Sequence, residues 1–367
     1  MKSICIDARM INSAGIGRYI RSLLKGFINS KHKIYLITNK KLINEYEWLN
    51  HFEIIHSDIK IYSIKEQILL PFLIPKCDLF FSPHFNIPFF KIRAKKRITT
   101  IHDVFHLAFE NEFSFLEKIY AKFFINQAIK KSKKVITVSN FSKKEILKYT
   151  NHKKEKIKVI HNGIDLDDFT YCEDPKRIKK IKKELNLPEK YFLFVGNLKK
   201  HKNLKNLIKA FEKIQKEEKD IFLVIVGNNK NIKNAFNIDD INLIQKQIIW
   251  LSQISDDQLK IIYQLSLALV FPSLYEGFGY PPLEAIALKS AAIVSNEASL
   301  PEVCEKAAIY VKPLDIDDIS KAMKKVLNEK FRRELILKSQ NTIEKFKLEN
   351  CIKKHLELFD EILNESK

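Results

Sequence analysis

The chain has 367 residues, 46% of them hydrophobic, with 64 Lys and Arg against 44 Asp and Glu for a formal charge of +20 at pH 7. That length exceeds what one core normally supports, so two domains are expected. The five cysteines are widely spaced with no C-x-x-C pair, which argues against a disulfide framework or a zinc site and fits a reducing, cytoplasmic setting. No apolar run reaches membrane-spanning length, and Met1-Lys-Ser-Ile-Cys-Ile-Asp-Ala reads as a short strand rather than a secretory leader.

Short apolar runs alternate with helical patterns, the signature of stacked βα units and parallel sheets, hence an α/β fold. In the first half, strands are expected at Ser3–Asp7, Lys33–Thr38, Asp78–Ser82, Arg97–His102 and Lys134–Ser139, with helices at Gly17–Ile28, Phe115–Lys131 and Lys143–Tyr149. After the first strand, Gly15-Ile-Gly17-Arg18 opens a helix whose N–H groups could meet a phosphate or a sugar. It lacks the third glycine of the dinucleotide fingerprint, and no acidic ribose partner ends the next strand, which excludes a Rossmann oxidoreductase. His102-Asp103 closes the strand that starts at Arg97. A lone histidine is more often structural, but at a strand's carboxyl end it is placed to bond a sugar hydroxyl.

Lys158-Val-Ile-His-Asn-Gly-Ile-Asp165 ends this half, and a polar connector from about Leu166 to Arg177 leads to a second series. Its strands are expected at Tyr191–Val195, Ile221–Val226, Ala268–Phe271, Ala292–Ser295 and Ala308–Val311, followed after Pro313 by two long helical patterns. The division expected is 1–170, 171–345 and a C-terminal helix over 346–367 that returns to the first domain. Gly196-Asn197-Leu-Lys-Lys-His201-Lys202-Asn203 sets a cationic group between a strand and a helix, suited either to a diphosphate or to solvent. Pro272-Ser-Leu-Tyr-Glu276-Gly277-Phe278-Gly279-Tyr-Pro-Pro-Leu-Glu284-Ala then follows a buried strand. Its paired prolines suit a helix start, Glu284 is expected in the first turn, and both carboxylates and the Gly277–Gly279 N–H groups would share one crevice at the sheet's carboxyl edge. The triplets Asp165-Leu-Asp167 and Asp315-Ile-Asp317 read as a linker and a helix cap, and no metal site is expected.

Taken in order, these residues resemble the glycosyltransferase family 4 (group 1) enzymes of GT-B fold. The resemblance rests on Gly15-Ile-Gly17-Arg18, Ser82-Pro-His84, His102-Asp103, Val138-Ser-Asn-Phe-Ser142, His161-Asn-Gly163, Gly196…Asn203-Leu204, the E-x7-E pair Glu276/Glu284 and Ser299-Leu-Pro-Glu302. It implies two Rossmann-like parallel-sheet domains facing across a cleft, and a nucleoside-diphosphate sugar as donor with no further cofactor. It also implies metal-independent retaining transfer, in which the leaving phosphate can take the acceptor's proton. By the same resemblance Glu276 contacts donor-sugar hydroxyls and Glu284 the nucleotide ribose. Lys202, with His201 and Asn197 beside it, holds the diphosphate; Gly15, Gly17 and the Gly277-Phe278-Gly279 backbone approach the donor; His102 meets the sugar. Two departures stand out: His201-Lys202 where many relatives carry Arg-Lys, and Lys289 where a helix-ending glycine is usual, which would place lysine in a left-handed position.

Asp7-Ala-Arg-Met, Glu66-Gln67 and Pro83-His84-Phe-Asn86 look most like bacterial mannosyltransferases of surface polysaccharide synthesis, so the donor expected is GDP-mannose and the acceptor a glycan or polyprenyl-linked one. A UDP-sugar or deoxyhexose transferase, a nucleotide-sugar epimerase of the same fold and a catalytically inactive basic interaction module are the alternatives. The lysines are scattered, as in Lys176-Arg-Ile-Lys-Lys-Ile-Lys-Lys183, with no helix-turn-helix, finger or RNP pattern, so nucleic acid is not an expected partner. Solvated surface and a membrane-facing basic surface both remain open. The amphipathic candidate for the latter is Asn111 to Ser132, beside Lys91-Ile-Arg-Ala-Lys-Lys-Arg97, which would put the protein on the inner face of the cytoplasmic membrane.

Overall fold

A computed structural model describes residues 1–109, 112–227 and 247–365. The chain forms two compact units, Met1–Gly163 with Leu348–Lys367, and Ile164–Lys347. In the first, β1 (Ser3–Asp7), β2 (Lys33–Thr38), β3 (Glu53–His56), β4 (Cys77–Ser82), β5 (Ala94–Thr100), β6 (Lys134–Thr137) and β7 (Ile157–Val159) make a parallel sheet in the order β3-β2-β1-β4-β5-β6-β7. Around it lie α1 (Ala14–Phe27), α2 (Ile64–Leu73), α3 (Phe105–Ala108), α4 (Phe115–Lys131) and α5 (Asn140–Thr150). Strand order reverses between β1 and β4, so the loops that follow them flank a switch point, the usual ligand position in such sheets.

The second unit begins with α6 (Pro175–Glu184). Its strands β8 (Tyr191–Val195), β9 (Phe222–Val226), β10 (Ile248–Leu251), β11 (Ala268–Phe271), β12 (Ala291–Ser295) and β13 (Ile309–Val311) run parallel in the order β10-β9-β8-β11-β12-β13. Among its described helices are α7 (Leu204–Glu217), α8 (Asp256–Leu265), α9 (Tyr280–Ala287), α10 (Leu300–Cys304), α11 (Ile316–Leu327) and α12 (Glu329–Lys345). Here the switch lies between β8 and β11, and each of those strands is buried throughout or nearly so, as apolar runs in a doubly covered sheet should be.

Three helices, rather than two, follow Pro313. Asn328 ends α11 and its side chain accepts the Phe331 N–H to cap α12, so a single residue separates two helices that read as one pattern. The third, α13 (Leu348–Asn364), belongs to the first unit, where Phe359 lies 5.7 Å from Phe27 and 5.1 Å from Phe81 between ring centroids. Gly26 permits this approach: a Cβ there would stand 2.1 Å from Ile352 Cδ1. Helix α2 contains Pro71 in its last turn.

Candidate functional site

The basic loop after β8 and the glutamate loop after β11 are stitched together through main-chain groups. The His201 carbonyl accepts from the Leu274 N–H at 2.7 Å and from Ser273 Oγ at 3.1 Å. Asn203, in the left-handed region at φ 57°, sends its buried Nδ2 to the Pro272 and Pro313 carbonyls at 3.0 and 2.5 Å. An asparagine tolerates that backbone better than most residues, which accounts for its place between loop and helix. These bonds bring Lys202 Nζ to 2.6 Å from Glu276 Oε1, with the two side chains 13% and 12% exposed. The Lys202 ammonium also stands 5.1 Å over the Phe271 ring. Two groups expected to touch different parts of a donor thus lie against each other, so the subsites they would serve are adjacent.

His201 differs from a cationic phosphate ligand. Burial first, and then the neighbouring Lys202 and Lys199, push its imidazole down to about 3, so it is neutral near pH 7. Asn197 is exposed, and its Oδ1 accepts the Lys199 N–H at 3.3 Å, shaping the turn.

Glu276 lies in the loop beyond β11, held by Ser299, whose buried Oγ reaches the Glu276 and Phe278 carbonyls at 2.9 and 2.8 Å. Gly277 and Phe278 are buried in the same loop. Gly279 is the N-cap of α9 with φ 105°, and a Cβ there would sit 2.7 Å from Leu300 Cδ2. A glycine is required on both counts. Glu284 therefore falls in the second turn of α9 rather than the first, since Tyr280 and the two prolines occupy the opening positions. It is 2% exposed and accepts from Tyr263 Oη of α8 at 2.8 Å. Pro281 and Pro282 carry no N–H, so this helix start offers an anion its dipole and fewer donors than usual. At the other end of α9, Lys289 adopts φ 56°, the left-handed position expected for it.

In the first unit the two early glycines separate. A Cβ on Gly17 would lie 2.4 Å from the Ile11 carbonyl oxygen, so close packing accounts for it, whereas Gly15 is exposed with nothing within 4 Å of a Cβ. His102 follows β5. Its Nε2–H donates to the Pro83 carbonyl at 2.9 Å, and its own carbonyl accepts from Ser142 Oγ at 2.9 Å. Burial lowers its pKa, which leaves a neutral ring with Nδ1 as an acceptor.

Beside it lies a buried polar network whose joint burial sequence reasoning missed. Arg9 forks between Asp7, through Nε at 2.8 Å and Nη2 at 2.6 Å, and Glu66 Oε1 at 2.6 Å. Glu66 Oε2 accepts from Asn86 Nδ2 at 2.5 Å and from the Tyr62 N–H at 2.7 Å, and Asn86 Oδ1 accepts from Tyr120 Oη at 2.7 Å. The Arg9 guanidinium holds the Asp7 carboxyl well below its usual range despite full burial, whereas burial raises that of Glu66. Asp165 and Asp315 are engaged as turn and cap: Asp165 Oδ1 accepts from Asp167 and Asp168 N–H, and Asp315 Oδ1 from Asp317 and Asp318 N–H. Among the described residues no group of three or more His, Cys, Asp or Glu could hold a metal ion.

Residues 13–168 match the family model described as Glycosyltransferase Family 4, and residues 175–344 match that described as Glycosyl transferases group 1. The O-antigen chain mannosyltransferase RfbU of Salmonella typhimurium is 33% identical over 243 residues, which is 66% of this chain and 63% of RfbU. The serotype-specific mannosyltransferase WbdA of Escherichia coli is 27% identical over 292 residues, 77% of this chain and 35% of WbdA. The chain thus spans less than two thirds of the length of either relative. A glycosyltransferase structure from Rickettsia africae aligns with a TM-score of 0.79 at 20% identity, covering 100% of this chain and 99% of that one, a likeness of fold. With its halves matched in order by the two domain models, the chain belongs to the family 4, group 1 glycosyltransferases of GT-B fold.

Proposed function

We propose that the chain is a retaining hexosyltransferase that moves mannose from GDP-mannose to a glycan or polyprenyl-linked acceptor in bacterial surface polysaccharide synthesis, working in the cytoplasm. The observation that carries this reading is the Lys202–Glu276 contact at the β8/β11 switch point, with Glu284 one turn into the helix that follows. Mannose is favoured because RfbU and WbdA are both named mannosyltransferases.

In the transfer, the bond from the sugar's anomeric carbon to the diphosphate oxygen breaks as the acceptor oxygen attacks from the same face, and a departing phosphate oxygen takes the acceptor proton. Lys202 and the dipole of α9 stabilise the charge that gathers on the diphosphate. Glu276 orients sugar hydroxyls, Glu284 binds the ribose, and His102 accepts a sugar hydroxyl through Nδ1. A lysine does the neutralising work that a metal does elsewhere, and Asp165 and Asp315, the first aspartates of the two D-x-D triplets, are engaged as turn and cap. Transfer from labelled GDP-mannose to a bacterial lipid extract is the test, with UDP-, TDP- and ADP-sugars alongside. The expected result is a rate highest with GDP-mannose and unchanged by EDTA. No transfer from any of the four nucleotides, or release of a free nucleotide-sugar product without acceptor, would overturn the assignment.

A further inference from the structure

Tyr19 is carried by α1 and is 1% exposed, so its hydroxyl must be bonded within the protein. It meets Thr100 Oγ1 at 2.9 Å and Nε2 of His355, on α13, at 2.7 Å, both residues being wholly buried. The direction of each proton follows from the far end of this chain. His355 Nδ1 lies 2.8 Å from the carbonyl of Cys351, one turn earlier in the same helix, and a carbonyl only accepts, so Nδ1 carries the hydrogen. Burial keeps the ring neutral by pushing it down to about 4, which leaves Nε2 with a lone pair. Tyr19 Oη therefore donates to His355, and the Thr100 hydroxyl donates to Tyr19.

The ring of Tyr19 reaches His102. Their centroids are 4.9 Å apart and their planes stand at 89°, an edge-to-face contact. Thr100 and His102 are two positions apart, the spacing of residues on one face of an extended chain, and both meet Tyr19, the first at its hydroxyl and the second at its ring. The bond from His102 Nε2–H to the Pro83 carbonyl fixes one nitrogen but leaves the ring free to tilt about that line. The perpendicular Tyr19 ring blocks the tilt, and the two restraints together give Nδ1 one direction. Tyr19 is in turn fastened to the end of β5 on one side and to α13 on the other. Phenylalanine and leucine in place of Tyr19 and His355 would fill the same apolar cluster without burying polar groups, so the pair contributes direction more than stability.

From this continuous contact of His355, Tyr19 and His102, we propose that Tyr19 is a positioning residue for His102, and that His355 of the C-terminal helix sets Tyr19. Two buried residues, one of them near the end of the chain, thus belong at one remove to the sugar-binding apparatus. The inference rests on the reading that His102 Nδ1 accepts a sugar hydroxyl, and it adds the groups that aim that nitrogen.

Kinetics and nitrogen NMR test it together. Tyr19→Phe keeps the ring and removes its tether, whereas Tyr19→Leu removes the ring. With GDP-mannose, kcat/KM should fall by about threefold in the first and about tenfold or more in the second, while the affinity for GDP, which carries no sugar, stays within about twofold of the parent. Once His102 is alanine, neither change should lower transfer further, because residues acting through one another are not additive. His355→Leu should match Tyr19→Phe, and His355→Gln, whose amide oxygen can accept near the position of Nε2, should recover most of the parent rate. If Tyr19→Leu does not fold, Tyr19→Phe and the His355 variants carry the same comparisons. In protein labelled with 15N-histidine, His102 should show one tautomer in the parent, with the hydrogen on Nε2, and averaged ring nitrogens in the Tyr19 and His355→Leu variants. That readout needs no donor: transfer at the parent rate in His102→Ala would remove the sugar role of His102, and the nitrogen spectrum would still decide whether Tyr19 sets its ring. Losses that add to that of His102→Ala, GDP binding weakened in step with transfer, or an unchanged His102 spectrum in the Tyr19 variants would overturn the proposal.

Discussion

Glu276→Gln tests the ion pair at the centre of the candidate site. Lys202 and Glu276 are nearly buried and 2.6 Å apart, so solvent screens them less than a surface pair, and a contact of this kind contributes about 1.5–3 kcal/mol. Glutamine preserves the shape and an acceptor oxygen but not the charge, which should remove roughly 1–2 kcal/mol of the attraction that a diphosphate must overcome to recruit Lys202. At 1.4 kcal/mol per factor of ten, GDP should bind about five- to thirtyfold more tightly. Transfer should move in the opposite direction, with kcat falling by about a hundredfold or more, because the carboxylate's hold on sugar hydroxyls is needed in the transition state. Calorimetry with GDP beside steady-state kinetics reads both. Weaker GDP binding together with an unchanged transfer rate would refute the reasoning, for Glu276 would then shape the phosphate loop and take no part in the chemistry.

Glu284→Gln should mainly raise donor KM and weaken GDP by about 1–3 kcal/mol, as expected of a ligand bound equally in ground and transition states, and Tyr263→Phe should show a smaller effect of the same kind in the same titration. Gly17→Ala should lower stability by about 1–3 kcal/mol through its clash with the Ile11 carbonyl, whereas Gly15→Ala should leave thermal melting unchanged or improved, so any loss of transfer in the latter reports ligand approach. His102, His201 and His355 all have pKa values lowered chiefly by desolvation, the last two to about 3 and about 4. Because the unfolded chain binds those protons first, stability is fully present above about pH 6.5 and falls as the pH drops toward the folded values. At pH 5 this amounts to roughly 2 kcal/mol for His355 alone. Denaturant melts from pH 7 to pH 5 check this, and a flat profile would contradict it.

Legibility in the sequence followed the length and purity of each signal. Strands such as Tyr191–Val195 and Ala268–Phe271 are short apolar runs ending in a turn, and the chemistry-bearing loops follow them directly, so both loops were visible together. The edge strands Glu53–His56 and Ile248–Leu251 were not among the expected strands, and Pro71 interrupts the helical pattern of α2. In the first unit, Arg9, Glu66, Asn86 and Tyr120 stand far apart in the chain and share no local pattern. Arg9, Glu66 and Asn86 stood in segments that carried the mannosyltransferase resemblance, but their bonds to one another and to Tyr120 have no sequence counterpart and are assembled only by the fold. Ser299 likewise belongs to a segment that could be singled out, but its hold on the Glu276–Phe278 loop is a tertiary bond with no sequence counterpart.

Helix α13 gives the order of synthesis a physical role. Leu348, Cys351, Leu358, Phe359, Ile362 and Leu363 share one hydrophobic cluster with Tyr19, Phe27 and Phe81, and His355 Nε2 accepts from Tyr19 Oη at 2.7 Å. The first unit to leave the ribosome is therefore the last to close its core, since part of that core is encoded after the whole of Ile164–Lys347. The uninterrupted second unit can fold as soon as it emerges, while the first waits with the groove beside Phe27 and Phe81 open to water. An incomplete chain stopped before Leu348 would carry that groove permanently, which makes it a natural substrate for chaperones and proteases that recognise exposed apolar surface.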